Sequence, residues 1–176
     1  MKIKYARLYV SRREKPDMTP YEAGVRVVSR ALKECCPQAI TVAALAMSGK
    51  IKVRRCLLVP VPDSNGRTFK NLELCGAIHR HKPDAVILNL LQGFPRESQC
   101  RRDREGKHRF TADQIRVKAR QVEVPRGYEK AVVYLVDNVC CTGATLEANR
   151  RAVASVLKND IRGLVYARTK QGGPVP

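Results

Sequence analysis

The chain has 176 residues, of which 44% are hydrophobic, and this suits one folded domain and excludes an intrinsically disordered chain. Its apolar runs fall short of the roughly 20 residues that cross a bilayer, and the N-terminus lacks the apolar segment of a signal peptide, so we expect no membrane partner and a cytoplasmic location. Lys and Arg outnumber Asp and Glu by 34 to 16, a formal charge of +18. Such a charge attracts nucleic acid or small phosphorylated ligands, although a basic surface can also serve solubility alone.

The seven cysteines do not indicate a metal or disulfide framework. None of them are spaced as C-x-x-C, which argues against a zinc ribbon. The odd number and the expected cytoplasmic location argue against structural disulfides. We therefore expect most of them to be ordinary reduced residues.

Residues 1–50 predict two helices. Thr19 is a predicted N-cap, with Glu22 completing a capping box, and Pro37 is expected to end the first helix. The Ala-rich stretch that follows predicts a second helix ended by Gly49. We expect these residues to form an N-terminal helical region.

Beyond residue 50, apolar runs of strand length alternate with helical segments. Strands are predicted at 53–62, 84–92, 130–137 and 162–169, and helices at 69–81 and 145–159. This alternation predicts an α/β domain with a mostly parallel open sheet flanked by helices. One domain is expected over residues 1–176.

A long polar segment, residues 92–127, separates two of the predicted strands. A connection of this length is usually functional or disordered; alternatively, it forms a flexible hairpin that folds over a ligand. The segment is rich in basic residues: Arg96, Arg101, Arg102, Arg104, Lys107, Arg109, Arg116, Lys118 and Arg120.

Polar and small residues follow the apolar strand Val132–Val136. Asp137 and Asn138 come first, and their side-chain oxygens suit the vicinal hydroxyls of a sugar. The small residues Cys141, Thr142, Gly143, Ala144 and Thr145 then lead into a helix. Such a loop lets backbone N–H groups approach an anion at a helix N-terminus, so the sequence predicts a phosphate site. The alternative is an ordinary strand-to-helix turn, in which Thr and Gly are also common.

The stretch "YLVDNVCCTGATL" resembles the phosphoribosyl diphosphate (PRPP) motif of type I phosphoribosyltransferases. That motif has four apolar residues, two acids, two mostly apolar residues, Thr-Thr-Gly and a final Thr. The resemblance implies that Asp137 and Asn138 lie at the ribose hydroxyls and that Cys141 to Thr145 hold the 5′-phosphate. It also implies Mg²⁺ as a cofactor bound with PRPP, with Asp137 as its one candidate protein contact.

A second stretch, "LLVPVPDSNGRTFKNLELCGAI", is similar to ComF-like members of the family. The similarity implies that Pro62, Asp63 and Ser64 belong to the loop that receives the diphosphate, and that Arg67 and Lys70 lie near the mouth of the site. In the family this loop often carries an unusual peptide bond. By the same resemblance, the basic segment 92–127 corresponds to a flexible loop that closes over PRPP, and residues 1–50 or the C-terminal tail supply a small hood.

Three departures separate the chain from the family pattern. Asn138 replaces the second acid and removes a charge beside the ribose, which weakens attraction for Mg²⁺. Cys141 replaces a threonine, at the position where hypoxanthine-type enzymes carry an acidic general base. It is either a small loop residue or a thiolate activated by the helix N-terminus. The N-terminal zinc module of typical ComF proteins has no counterpart in this sequence.

Two functions are consistent with these patterns. The first is transfer or binding of a 5-phosphoribosyl group, with PRPP or a nucleotide as the ligand. Its candidate catalytic residues are Asp137, Arg104, Lys107 and Arg109. The second is a regulator or nucleic-acid-binding factor with the PRPP fold and little transferase activity, which the charge of +18 favours. Homodimers are common in the family, so the resemblance implies a homodimer as one state of this protein.

Overall fold

The structure is a computed structural model that describes residues 1–10 and 17–169, except for the side chains of Cys100, Asp103 and Arg104. In chain order the elements are β1 (Ile3–Tyr9), α1 (Pro20–Ala31), α2 (Pro37–Ser48), β2 (Cys56–Pro60), α3 (Phe69–His81), β3 (Ala85–Ile87), β4 (Leu91–Gly93), α4 (Gln99–Arg104), β5 (Val117–Ala119), β6 (Val132–Cys140), α5 (Ala144–Ala154) and β7 (Ile161–Thr169). Short 3₁₀ turns occupy Leu32–Glu34 and Ala112–Gln114.

Five of the strands form one parallel sheet. Their spatial order is β1-β7-β6-β2-β3, and every neighbouring pair runs in parallel. The expected α/β class with a mostly parallel sheet flanked by helices is therefore confirmed. Because the strands are parallel, the carboxyl ends of β1, β2, β6 and β7 meet at one edge of the sheet.

The sheet is covered on both faces, which explains why its strands are nearly continuous apolar runs. Leu58 and Tyr134 belong to a core formed with α1, α2 and α3. Leu57 and Leu135, their neighbours along the same strands, belong to a second core formed with α5. Side chains alternate between the two faces of a strand, so one apolar run supplies both cores.

The predicted helices are present, with two corrections. The helix predicted at 145–159 is α5, which begins at Ala144 and ends at Ala154. Thr19 caps α1, and its side chain and that of Glu22 form the predicted capping box. Gly49 follows α2, as expected. Pro37 does not end the first helix: the chain turns at Cys35, whose φ is +57°, and Pro37 is the first residue of α2. Proline suits that position, because the first helical N–H has no intrahelical partner in any case.

Two strand predictions were incomplete. Strand β1 was not predicted, although Ile3–Tyr9 pairs with β7 along its length. The strand predicted at 84–92 is divided, because the chain bends where the Leu90 N–H donates to the Leu88 carbonyl. Its second part, β4, pairs antiparallel with β5. Strands β4 and β5 thus form a β-hairpin that includes most of the segment 92–127. We call residues 97–116, which extend beyond the base of this hairpin, the excursion.

The helices of residues 1–10 and 17–169 include none that is both long enough and apolar enough to span a membrane.

Candidate functional site

A cavity of about 450 Å³ lies at the carboxyl ends of β1, β2, β6 and β7. It is lined by most of the residues that the sequence singled out: Pro62, Asp63, Ser64, Lys70, Asp137, Asn138, Cys141, Thr142, Gly143 and Thr145. Two distant parts of the chain, the loop after β2 and the loop after β6, therefore share one cavity. Ala144 and Arg67 belong to these loops but do not line it.

Asp137 is the central carboxylate of the cavity. Its Oδ1 accepts hydrogen bonds from the Asn138 N–H at 2.8 Å and from the Asn71 amide at 3.3 Å. Burial raises the pKa of Asp137 to about 6, against the opposing effects of these two hydrogen bonds and of the nearby charges of Arg96 and Lys33. A carboxylate with this pKa is ionised at neutral pH and protonated in mild acid.

The side chain of Asn138 is hydrogen-bonded to the backbone of its own strand. Its Oδ1 accepts a hydrogen bond from the N–H of Val139 at 2.7 Å. The second position of the polar pair thus brings no charge into the cavity, and its amide oxygen is engaged by the backbone. Asp137 alone supplies negative charge from β6.

The loop after β6 is shaped by Gly143. Its φ is +87°, a conformation that favours glycine, and it immediately precedes the 11-residue helix α5. The Gly143 carbonyl accepts from the Glu147 N–H at 2.9 Å, and Thr142 Oγ1 accepts from the Ala144 N–H at 3.3 Å. The N-terminus of α5, with its partial positive charge, therefore opens beside Asp137.

The loop after β2 is stabilised by hydrogen bonds within the loop. Asp63 Oδ1 accepts from the backbone N–H groups of Asn65 at 2.8 Å and Arg67 at 3.1 Å, and the Asp63 N–H donates to the Arg67 carbonyl at 2.8 Å. Arg67 thus contributes to the loop through its backbone. The described residues contain no cis peptide bond.

Two glycines allow this loop to pack closely against the hairpin. A Cβ on Gly66 would lie 2.5 Å from the Gly93 carbonyl oxygen, and one on Gly93 would lie 2.8 Å from the Cβ of Pro62. Such distances leave no room for a side chain at either position. Close by, the Arg96 N–H donates to the Ser64 carbonyl at 2.8 Å. The base of the hairpin and the loop after β2 therefore form one packed unit.

Arg96 extends from this unit into the cavity. Its Nη2 donates to Thr145 Oγ1 at 3.4 Å, so the side chain links the hairpin to the start of α5. Burial lowers the pKa of Arg96, an effect opposed by the charges of Asp137 and Asp63. Arginine remains charged in such surroundings, which makes Arg96 a partly buried cation facing the central carboxylate. From the sequence, Arg96 was one of several basic residues of the segment 92–127, with no sign that it differs from the others.

The named catalytic candidates of the hairpin lie elsewhere. Lys107 forms ion pairs with Glu105 at 2.6 Å and Glu97 at 3.5 Å. The hydrogen bonds of Lys107 and Arg101 to Glu105 lower the pKa of Glu105 to about 2. Neither Lys107 nor Arg109 lines the cavity. The side chain of Arg104 lies outside the described residues. Lys107 and Arg109 therefore do not lie with Asp137 in the cavity.

Several lining residues were missed from the sequence: Tyr9, Ser29, Arg30, Lys33, Asn71 and Thr169. Asn71 could have been identified, since it lies next to Lys70 in the quoted stretch. Its amide donates hydrogen bonds to Asp137 and, at 2.7 Å, to the Val61 carbonyl. Tyr9 and Thr169 were not, because their proximity depends on the unpredicted strand β1.

The residues suit a magnesium ion that arrives with its ligand. Mg²⁺ is commonly held by one or two carboxylates together with substrate phosphates, and Asp137 supplies one carboxylate here. The part of the chain that the structure describes has no group of three or more His, Cys, Asp or Glu able to hold a metal. Asp137 would hold the ion beside a diphosphate, and the described protein groups would not bind it alone.

In comparisons with known proteins, no protein-family model matches the chain, and no curated protein matches it significantly.

Proposed function

We propose that the cavity binds PRPP with Mg²⁺ and that the protein is a phosphoribosyltransferase-like protein. The observation that carries the proposal is the meeting of three groups in one cavity: Asp137, the loop at the start of α5, and Arg96 on the hairpin. A carboxylate suits ribose hydroxyls, and a glycine loop at a helix N-terminus suits a phosphate. The sequence resemblance assigns the same two roles to the same residues.

Each part of PRPP then has a place. The ribose hydroxyls lie at Asp137, and the 5′-phosphate lies at the loop from Cys141 to Thr145. The diphosphate lies between the loop after β2 and two cations, Lys70 and Arg96. Under this proposal the domain is of the type I phosphoribosyltransferase kind, with the hairpin over the site and residues 1–50 contributing the hood.

Catalysis would depend on the charge of the leaving diphosphate. A nitrogen nucleophile attacks C1 of the ribose, and the bond from C1 to the diphosphate oxygen breaks with its electron pair on the diphosphate. Arg96 and Lys70 would stabilise the negative charge that develops there, and the hairpin would exclude water. Mg²⁺, held by Asp137 and the diphosphate, would supply further charge neutralisation.

Calorimetric titration tests this proposal. PRPP with Mg²⁺ is expected to bind to the wild-type protein and to bind more weakly to Asp137→Asn, which removes the cavity's central charge with little change in shape. Absence of binding at millimolar concentrations, on the order of PRPP levels that saturate weak sites, would remove the ligand assignment. Thermal unfolding of both proteins checks that the variant is folded.

Nucleic-acid binding is a second candidate, and the charge favours it. Among the described residues four Lys and Arg side chains line the cavity, whereas the chain contains 34. A polyanion is the partner expected for the remaining charge. Such binding weakens steeply with salt, so a mobility-shift experiment that shows no complex even at low salt would reject this candidate.

A further inference from the structure

The edge of the sheet opposite the cavity carries a dense group of basic residues. Strands β2, β3 and β6 begin side by side, since Cys56 is in register with Ala85 and with Val132. Strand β7 begins next to them, since Ile161 is in register with Val133. The loops that precede these strands and the first residues of β1 and β7 therefore form one surface, which we call the amino edge: residues 1–4, 49–55, 82–84, 125–131 and 155–162.

The amino edge has a large excess of positive charge. It contains eleven Lys and Arg residues against three acids, an excess of eight positive charges. Two of the acids form ion pairs there, Asp84 with Arg54 and Asp160 with Arg162. The other nine cations form no ion pair within residues 1–10 and 17–169. Eight cations of the amino edge are exposed to solvent: Lys2, Lys50, Lys52, Arg54, Arg55, Arg126, Lys130 and Lys158.

Side-chain contacts connect the loops of the amino edge to one another. The Asn159 amide donates to the carbonyls of Tyr128 at 3.4 Å and Ala131 at 2.8 Å, which joins the loop before β7 to the loop before β6. The Tyr128 hydroxyl donates to the Asp84 carbonyl at 2.8 Å, and the Arg55 guanidinium lies 5.8 Å from the Tyr128 ring centroid. The loops before β2, β3, β6 and β7 are thus held together without a ligand, so binding costs less conformational entropy.

The amino edge is long enough to contact a polymer. Neighbouring strands of a sheet are about 4.8 Å apart, so the starts of five strands extend over roughly 20 Å. The end of the edge at β1 and β7 is concave, with a groove of about 440 Å³ whose lining includes Lys2, Lys158 and Asn159. A small phosphorylated molecule would contact two or three of the exposed cations and leave the others unused. Double-stranded nucleic acid, with one phosphate charge per about 1.7 Å of its axis, presents several phosphates over this length.

The side chains of the amino edge favour a nucleic acid over a membrane, and a duplex over a single strand. Peripheral membrane binding combines basic side chains with inserted apolar ones, and of the exposed large hydrophobic side chains of the described residues only Met1 lies in the amino edge. Single strands are bound by exposed aromatic rings on which bases stack, and the one aromatic residue of the amino edge, Tyr128, is half-buried beside Arg55. We propose that the amino edge binds the phosphate backbone of double-stranded nucleic acid, independently of its base sequence.

This inference rests on the second candidate function and is independent of the PRPP site. The cavity lies at the carboxyl ends of the strands, and the amino edge lies at the other ends of the same strands. A duplex on the amino edge would therefore leave the cavity open, and the two ligands can be titrated separately.

Fluorescence anisotropy with labelled mixed-sequence duplexes, one of DNA and one of RNA, tests the inference over a range of salt concentrations. The edge variant combines Lys52→Gln, Lys130→Gln and Lys158→Gln, which removes three exposed cations of the amino edge. It is expected to weaken duplex binding about 10- to 100-fold at low salt. The slope of log affinity against log salt should decrease in magnitude by about three, because each lost phosphate contact removes about one unit.

A matched control removes the same charge from the hairpin, which packs against the loop after β2 at the opposite edge of the sheet. This control variant combines Arg101→Gln, Arg116→Gln and Lys118→Gln, whose side chains are also exposed. It should lose less than about threefold in affinity and keep the wild-type salt slope, because no phosphate contact is removed. Thermal unfolding checks that both triple variants are folded.

The outcomes separate this inference from the candidate function on which it rests. If a duplex binds and the two triple variants lose equal affinity, binding follows net charge: the amino edge is wrong and nucleic-acid binding stands. If neither duplex binds even at low salt, both fail. Tighter binding of a single strand of the same length would overturn the duplex. Binding to vesicles of phosphatidylcholine and phosphatidylserine, with no binding to either duplex, would replace the nucleic acid by a membrane surface.

Discussion

The cations of the hairpin excursion and those of the cavity differ in their partners. In the excursion, Arg101, Arg102 and Lys107 form ion pairs with Glu97 and Glu105. The cations that line the cavity are Arg30, Lys33, Lys70 and Arg96, and none of them forms an ion pair within the described residues. The cations of the first group touch carboxylates directly, whereas those of the second have no direct ion pair among the described residues, although Asp137 lies near enough to Arg96 and Lys33 to interact with their charges.

This difference shows why a count of basic residues does not locate a site. The excursion is rich in basic residues, but these contact other groups within the excursion. Arg102 lies 4.2 Å from the ring centroid of Phe110 and donates a hydrogen bond to Glu97. Gln99 also forms two hydrogen bonds with the Phe110 backbone. A cation already paired with an acid offers less to a phosphate. The unpaired cations of the cavity are the better phosphate ligands.

The largest difference in PRPP affinity is expected when one cation of each group is replaced by glutamine. Arg96→Gln should weaken PRPP binding by about 10- to 100-fold, because a charge-assisted hydrogen bond contributes roughly 1.5–3 kcal/mol. Lys107→Gln, which removes the same charge from the excursion, should change the affinity by less than about twofold. Calorimetry measures both. Equal losses in the two variants would mean that the pairing of charges does not matter.

The glycine contact between the hairpin and the loop after β2 gives the next effect. Gly93→Ala would place its Cβ 2.8 Å from the Cβ of Pro62 and 3.0 Å from the Cα of Gly66, and overpacking of this kind costs about 1–3 kcal/mol. It should also displace Arg96 and weaken PRPP binding. Chemical denaturation and calorimetry measure the two effects.

Gly76→Ala is the matched control for that change. A Cβ at this position in α3 meets no atom within 4 Å, and alanine favours a helix over glycine by up to about 1 kcal/mol. The control should therefore be neutral or more stable. A Gly93→Ala protein as stable as the wild type would contradict the close packing of the loop and the hairpin.

The pH dependence of binding tests the central carboxylate. Since burial raises the pKa of Asp137 to about 6, the group loses its charge as the pH falls, and PRPP binding should weaken about tenfold between about pH 7 and about pH 5. The folded protein holds this proton more tightly than the unfolded chain. The contribution of Asp137 to the free energy of unfolding should therefore decrease as the pH rises through that range.

Asp137→Asn provides the comparison for the pH profile. Its binding should be weak at every pH and should lack the transition near pH 6. A transition that persists in this variant would come from another group, such as the phosphates of the ligand. Calorimetry in buffers of different ionisation enthalpy counts the protons released on binding.

The smallest effect is expected at Asn138. Asn138→Asp restores the second acid of the family motif and should strengthen PRPP–Mg²⁺ binding about threefold at neutral pH, because it adds attraction for the cation. The gain should vanish in mild acid, since a second carboxylate raises the pKa of its neighbour. An unchanged affinity at neutral pH, in titrations with and without Mg²⁺, would count against ribose binding at this pair.

Local patterns predicted the fold well where one element determines its own structure. The capping box at Thr19 and the strand from Val132 were read correctly, because their signals lie within a few residues. Strand β1 was missed since it carries four charged or tyrosine side chains and is defined by its pairing with β7. Tyr9 was missed for the same reason, because it belongs to β1 and lines the cavity at the end of that strand.

The site was predicted only in part, again because some of its contacts join residues that are far apart in the sequence. The loop after β6 carries its chemistry in consecutive residues, so its place could be read directly. The importance of Arg96 depends on the contact of Gly66 with Gly93 and on its bond to Thr145, which join segments far apart in sequence. Composition suggested many equivalent basic residues in the segment 92–127, and it could not tell the cations that pair with Glu97 and Glu105 from Arg96, which lines the cavity.

The most direct test of the phosphate site is an NMR titration of the ¹⁵N-labelled protein with ribose 5-phosphate. We expect the largest shifts at the backbone amides of residues 141–145 and at the Arg96 side chain, with small shifts at Arg101 and Lys107 in the excursion. Saturating shifts confined to the excursion, or no saturating shifts at residues 141–145, would contradict this expectation.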